Sequence, residues 1–61
     1  MPFVIKLALA WWETKPARER TYQMFRDCVE HFAEVYAIPQ EQRSQGVLQA
    51  WKQIPAWKKA G

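Results

Sequence analysis

The chain has 61 residues, of which 49% are hydrophobic, and a formal net charge of +3. A chain of this length forms one small domain that buries only about 60% of its unfolded surface, so we expect homo-oligomerisation to complete its core. One cysteine excludes an internal disulfide, and one histidine leaves no Cys/His cluster with metal-ligand spacing. We therefore expect a cytoplasmic protein that uses no metal and no cofactor.

The longest apolar run and the charge pattern argue against membrane and nucleic-acid partners. Residues 3–12 contain nine apolar side chains, which is too few to span a bilayer, and they lack the basic start of a signal peptide. Basic residues are frequent near both ends of the chain, but acidic residues are mixed with them, as on a solvated surface. We expect neither a membrane nor a nucleic acid as a partner.

The first predicted element is a strand over residues 3–12. Lys6 alone interrupts this apolar run, and periodicity cannot separate a strand from a buried helix in such a segment. Phe, Val, Ile and two Trp favour a strand. The lack of alternation indicates that both faces are covered, as in a parallel sheet.

The second predicted element is a long amphipathic helix of roughly five to six turns. Thr14 is a candidate N-cap, Pro16 suits the first turn, and Pro39 forces Ile38 out of helical geometry. Between these limits, apolar residues recur at spacings of three and four, and two more apolar residues widen the stripe. The recurring residues are Tyr22, Phe25, Val29, Phe32 and Tyr36, and the two others are Cys28 and Val35. We expect this stripe to pack against the rest of the domain, with Cys28 in the core.

The third element, over residues 46–53, is compatible with a helix or a strand. Val47, Trp51 and Ile54 would share a helix face, whereas Val47, Gln49 and Trp51 would share one face of a strand. Composition alone favours the helix. Pro55 ends the element, and a turn and tail follow.

Four stretches of the chain, taken together, are similar to those of a known family. They are the Met1-Pro2 start before an apolar run and residues 15–20, 38–45 and 54–61. Together they resemble the tautomerase superfamily, and most closely its short members of the 4-oxalocrotonate tautomerase type. The resemblance covers nearly the whole chain and implies a single tautomerase-like domain over residues 1–61.

The resemblance implies an α/β fold. Its β-α-β unit would have two parallel strands, at residues 3–12 and 46–53, joined by the one long amphipathic helix. Two strands and one helix cannot close a core alone, so the unit would be completed by oligomerisation. The implied assembly is a homohexamer built as a trimer of dimers.

The resemblance also implies an isomerase that moves a proton on a small enol or unsaturated 2-oxo acid. Pro2 would be the general base after removal of Met1, since an N-terminal amine titrates near neutrality. Arg43 is close to the position of a substrate-binding arginine in the family, and Trp57 would cover the active site of a neighbouring subunit. Where the family has a further arginine, this chain has Trp12. Trp12 is a candidate substrate contact in an aromatic pocket, although packing at a subunit interface is the favoured interpretation of this residue.

Two other classes stay open. The chain could be a non-catalytic tautomerase-fold subunit of a hetero-oligomer whose partner supplies the missing arginine. It could also be a small dimeric helical or ribbon-helix-helix binding protein. The second alternative needs polar residues on the first strand to read base edges, and that segment offers only Lys6.

Overall fold

The computed structural model describes residues 2–43 and 46–59, and its regular elements in these ranges are all helical. Three α-helices form the domain: α1 (Pro2–Glu13), α2 (Tyr22–Val35) and α3 (Val47–Gln53). Short 3₁₀ turns follow them at Ala17–Glu19, Gln40–Gln42 and Ala56–Lys58. Within the described residues there is no strand, so the predicted α/β class and β-α-β unit are wrong.

The segment predicted as the first strand is helix α1. Val4, Ala8 and Trp12 have no exposed surface, and their spacing of four places them on one face of a helix. The Leu-Ala-Leu-Ala sequence at residues 7–10 consists of strong helix formers, and a run of ten residues exceeds the usual strand length. The run lacks alternation because both flanks of α1 are apolar as well, not because two faces of a strand are covered.

Helix α2 begins later than the sequence predicts. Its N-cap is Thr21, whose side-chain oxygen accepts a hydrogen bond from the Met24 N–H at 3.2 Å. Thr14 instead donates its hydroxyl to the Trp11 carbonyl at 2.6 Å and closes α1. The backbone of Pro16 is extended, with ψ of 151°, so it belongs to the connection between the two helices.

The end of α2 is close to the predicted one. Ala37 adopts φ of 56°, and the N–H groups of Ala37 and Ile38 donate to the carbonyls of Glu34 and Ala33. These two bonds form a Schellman motif, which satisfies carbonyls at the end of a helix. Pro39 then prevents the helix from continuing.

The three helices run alternately up and down around one core. Phe3 at the start of α1 contacts Tyr36 after the end of α2, whereas Trp12 contacts Phe25 in the first turn of α2, so α1 and α2 are antiparallel. Trp51 of α3 also lies against Trp12, with ring centroids 5.7 Å apart. The buried cluster comprises Val4, Ala8, Trp12, Phe25, Cys28, Val29, Val47 and Ile54.

The segment from 46 to 53 folds as the helix that composition favours, and the strand implied by the resemblance is wrong. Gly46 precedes α3 with φ of 81°, a left-handed conformation that a side chain disfavours. No helix in the described part of the chain is long and apolar enough to cross a membrane.

Candidate functional site

The structure separates the residues predicted for a tautomerase site. Pro2 is the first residue of α1, and Trp12 lies in the last turn of the same helix, about 15 Å further along its axis. Met1, whose removal the proline chemistry requires, lies outside the described residues. The role of Pro2 as a general base therefore stays a prediction from the sequence.

Trp12 is a core residue of the single chain. Its side chain is 0% exposed and contacts the rings of Phe25 and Trp51. Its indole N–H donates to the Thr21 carbonyl at 3.1 Å, which ties the end of α1 to the start of α2. A substrate could reach this side chain only if the core opened.

Arg43 is engaged by α2 and the segment after it. Its Nη1 lies 2.9 Å from Oε1 of Glu30 and 3.8 Å from Oε1 of Glu34. Its Nε donates to the Ile38 carbonyl at 3.1 Å. Arg43 thus fastens the connection between α2 and α3 onto α2, and its charge is already paired.

Trp57 lies in the last 3₁₀ turn and is 77% exposed, the most exposed large apolar side chain of the described chain. The next residue, Lys58, reaches Glu13 at the end of α1 with a distance of 2.6 Å between Nζ and Oε1. Trp57 is therefore near the C-terminal end of α1, whereas Pro2 begins that helix. Its predicted role over a neighbouring subunit stays a prediction.

A different feature dominates the surface, an apolar face across α1 and α2 that we call the aromatic face. Its residues from α1 are spaced by four, and those from α2 follow the flank next to α1. They are Phe3, Leu7 and Trp11 together with His31, Phe32, Val35 and Tyr36. All of them except Phe32, which is half-buried, are exposed.

The rings of the aromatic face contact each other across the two helices. Phe3 and Tyr36 meet edge to face, with centroids 5.1 Å apart. Trp11 lies 4.9 Å from the His31 ring and 5.6 Å from the Phe32 ring. The Phe3–Tyr36 and Trp11–Phe32 contacts have the edge-to-face geometry that aromatic pairs favour.

A basic residue lies at one end of the aromatic face. Nζ of Lys15 stands 4.6 Å from the centroid of the Trp11 ring, at the end where α1 finishes. The carboxylate of Glu34, near the end of α2, lies 3.8 Å from Nη1 of Arg43 and is therefore paired with the connection that follows α2. Lys15 thus marks one end of a largely apolar surface.

A second apolar surface is a groove of about 470 Å³ on the other flank of α1, between α1 and α3. Ile5 and Leu9 form one wall, and Ala50, Ile54 and Pro55 form the other. We call it the α1–α3 groove. Its polar lining residues are Lys6, Glu13, Gln49, Gln53 and Lys58.

Cys28 is buried in the core, as the sequence predicts. Burial raises the pKa of its thiol, an effect that nearby Lys15 opposes and Asp27 reinforces. The thiol therefore stays protonated at neutral pH, which disfavours nucleophilic chemistry. No group of three or more His, Cys, Asp or Glu side chains within residues 2–43 and 46–59 is placed to hold a metal ion.

Comparisons of this chain with protein-family models, with curated proteins and with solved structures give no match. The tautomerase resemblance therefore rests on the residues that suggested it. The function has to be argued from the surfaces of the helical domain.

Sequence reasoning missed both surfaces. Apart from His31, the residues of the aromatic face are ones that the sequence predicts to lie in a covered strand or in the buried stripe of the long helix. One signal could have revealed it, since the stripe from Tyr22 to Tyr36 is wider than one packed flank needs. Val35, which widens that stripe, is 63% exposed.

Proposed function

We propose that the chain is a small helical binding module that acts as a homodimer. The aromatic face of one copy would be buried against the same face of a second copy. The observation that carries the proposal is the continuous exposed apolar strip formed by Phe3, Leu7 and Trp11 beside Val35 and Tyr36. Contiguous apolar patches of this kind mark interaction sites on small proteins.

The area of the face is near what a specific dimer needs. Two adjacent helices of 12 and 14 residues form a surface of about 20 by 20 Å. The projected area of this surface is about 400 Å², and protruding side chains make its accessible area larger. The smallest specific interfaces bury roughly 600 Å² per partner. We therefore expect a dissociation constant in the micromolar range.

The charge distribution of the face is compatible with a second copy. A two-fold axis across the face aligns the helices of the two copies in opposite directions, and each copy presents the same patch. This arrangement places the Lys15 residues of the two copies at opposite ends of the interface, so the like charges do not meet. The apolar centre then provides most of the affinity.

The other classes raised by the sequence require strands, which residues 2–43 and 46–59 do not form. A ribbon-helix-helix protein pairs strands where this chain has α1, and a tautomerase-fold subunit needs two parallel strands. The helical binding protein is the alternative that agrees with the architecture. It also gives Trp11 the subunit-interface role that the sequence favours for the neighbouring Trp12.

Sedimentation velocity over a range of concentrations tests the proposal. We expect the wild type to change from monomer to dimer in the micromolar range and Leu7→Lys to stay monomeric, since two lysines would be buried near the axis. Leu48→Lys is the matched control, because Leu48 is half exposed on α3, outside the aromatic face. Circular dichroism checks that all three proteins keep their helix content.

Two results would contradict the proposal. One is a wild type that remains monomeric at millimolar concentration. The other is a Leu48→Lys variant that dissociates as much as Leu7→Lys, which would place the interface elsewhere.

A further inference from the structure

The α1–α3 groove is a second site, separate from the aromatic face. Ile5 and Leu9 lie on the flank of α1 opposite to Leu7 and Trp11, so dimerisation through the aromatic face leaves the groove open. Its apolar walls and a volume of about 470 Å³ are within the range of sites for small molecules.

Small residues of α3 and the turn before it keep the groove open. Ala50 faces α1 from the middle of α3, and Gly46 lies at one end of the groove. A Cβ atom on Gly46 would stand 3.3 Å from Cδ1 of Ile5, so a side chain there would crowd that end. The small residues thus leave space for an apolar chain between the walls.

The two ends of the groove differ in charge. At one end, Glu13 and Lys58 neutralise each other at 2.6 Å. Towards the other end, Lys6 is exposed, and the groove's described lining has no carboxylate besides Glu13. Lys6 therefore offers the positive charge that is available to a ligand, and Gln49 adds an amide to the lining.

We propose that the α1–α3 groove binds a single-chain fatty acid. The carboxylate would pair with Lys6, and the tail would lie between Leu9 and Ala50 and extend to Ile54 and Pro55. Lys6 and Glu13 are separated by about 10 Å along α1, which suits a medium-length tail. The end of the tail meets the neutral Glu13–Lys58 pair.

A series of fatty acids of increasing length tests how long a tail the groove can bind. We expect affinity to rise about two- to fourfold for each added methylene from octanoate to decanoate, because the open groove buries each group partly or fully. The gain should stop once the tail passes Glu13. Titration of isotope-labelled protein by NMR, below the micelle concentration of each ligand, gives the affinities and maps the perturbed amides to Ile5, Leu9 and Ala50.

Ligand charge and two variants test the assignment. Decanoate should bind more tightly than decylamine, and Lys6→Gln should weaken decanoate about threefold at low salt, as expected for an exposed ion pair. Lys52→Gln removes an exposed lysine of α3 outside the groove and should have no effect. Ala50→Leu should abolish binding by filling the groove, with its fold checked by thermal melting.

Failure of this proposal is distinct from failure of the dimer. Leu7→Lys should bind decanoate as the wild type does, since Leu7 is outside the groove. The proposal is overturned by a wild type that does not bind decanoate, by decylamine that binds equally well, or by a folded Ala50→Leu variant with unchanged affinity. None of these results changes the expected sedimentation of the wild type.

Discussion

Two neighbouring tryptophans have opposite roles in this protein. Trp12 is fully buried and hydrogen-bonded within the core, whereas Trp11 is exposed beside His31. Successive helix residues differ by about 100° in direction, so one step along α1 leads from the core to the surface. The sequence could not separate the two tryptophans, because the predicted strand gave no information on which side of α1 faces inward.

The tryptophans permit a matched test of burial. We expect Trp12→Phe to lower the free energy of unfolding by about 2–4 kcal/mol, through a lost hydrogen bond and a cavity in the core. This is a large part of the roughly 3–9 kcal/mol that a domain of this length has in total. Trp57→Phe, at a largely exposed position, should change it by less than about 0.5 kcal/mol.

Urea unfolding followed by circular dichroism measures both variants without relying on tryptophan fluorescence. Equal losses for Trp12→Phe and Trp57→Phe would contradict the buried position of Trp12.

At the level of elements, the sequence predicted the amphipathic pattern of α2 and its end near Pro39, but not its start. Periodicity and a proline are local signals, and both act within one turn. The start was ambiguous because Thr14 and Thr21 are both acceptable N-caps, and the structure uses Thr21. The prediction for residues 3–12 was wrong for another reason. A helix with three apolar sides has no polar face from which its period can be recognised.

Two residues at the ends of the connection between α2 and α3 have left-handed backbone conformations. We expect substitutions at these two positions to change the stability of the protein in opposite directions. Ala37 has φ of 56° in the Schellman motif, where glycine is the preferred residue. Ala37→Gly should stabilise the protein by about 0.5–1 kcal/mol, since relief of strain exceeds the entropy that glycine adds to the unfolded chain. Gly46→Ala should destabilise it by about 1–2 kcal/mol, through backbone strain and the close approach to Ile5.

Thermal melting of both variants against the wild type tests these two signs. A loss of stability in Ala37→Gly would show that the helix end does not store the strain described.

At the level of the whole molecule, length and apolar content predicted oligomerisation without any knowledge of the fold. The amount of apolar surface that a short chain can hide does not depend on whether its elements are helices or strands, so the predicted oligomerisation is independent of the predicted strands. The hexamer did depend on them, because it was implied by subunits that pair strands. The position of the aromatic face could not be predicted, since it requires the relative rotation of α1 and α2, which only the packed core determines.

If the aromatic face forms the dimer, the thermal stability of the protein depends on its concentration. Association stabilises the folded state by mass action, so a tenfold rise in concentration above the dissociation constant adds about 1.4 kcal/mol per dimer. With an unfolding entropy of about 2.1 cal/mol/K per residue over two chains of 61 residues, the melting temperature should rise by about 5 °C. The melting temperature of Leu7→Lys should be the same at every protein concentration, whereas that of Leu48→Lys should rise with concentration as in the wild type. A wild type whose melting temperature is constant from micromolar to millimolar concentration would mean that the aromatic face stays exposed in solution.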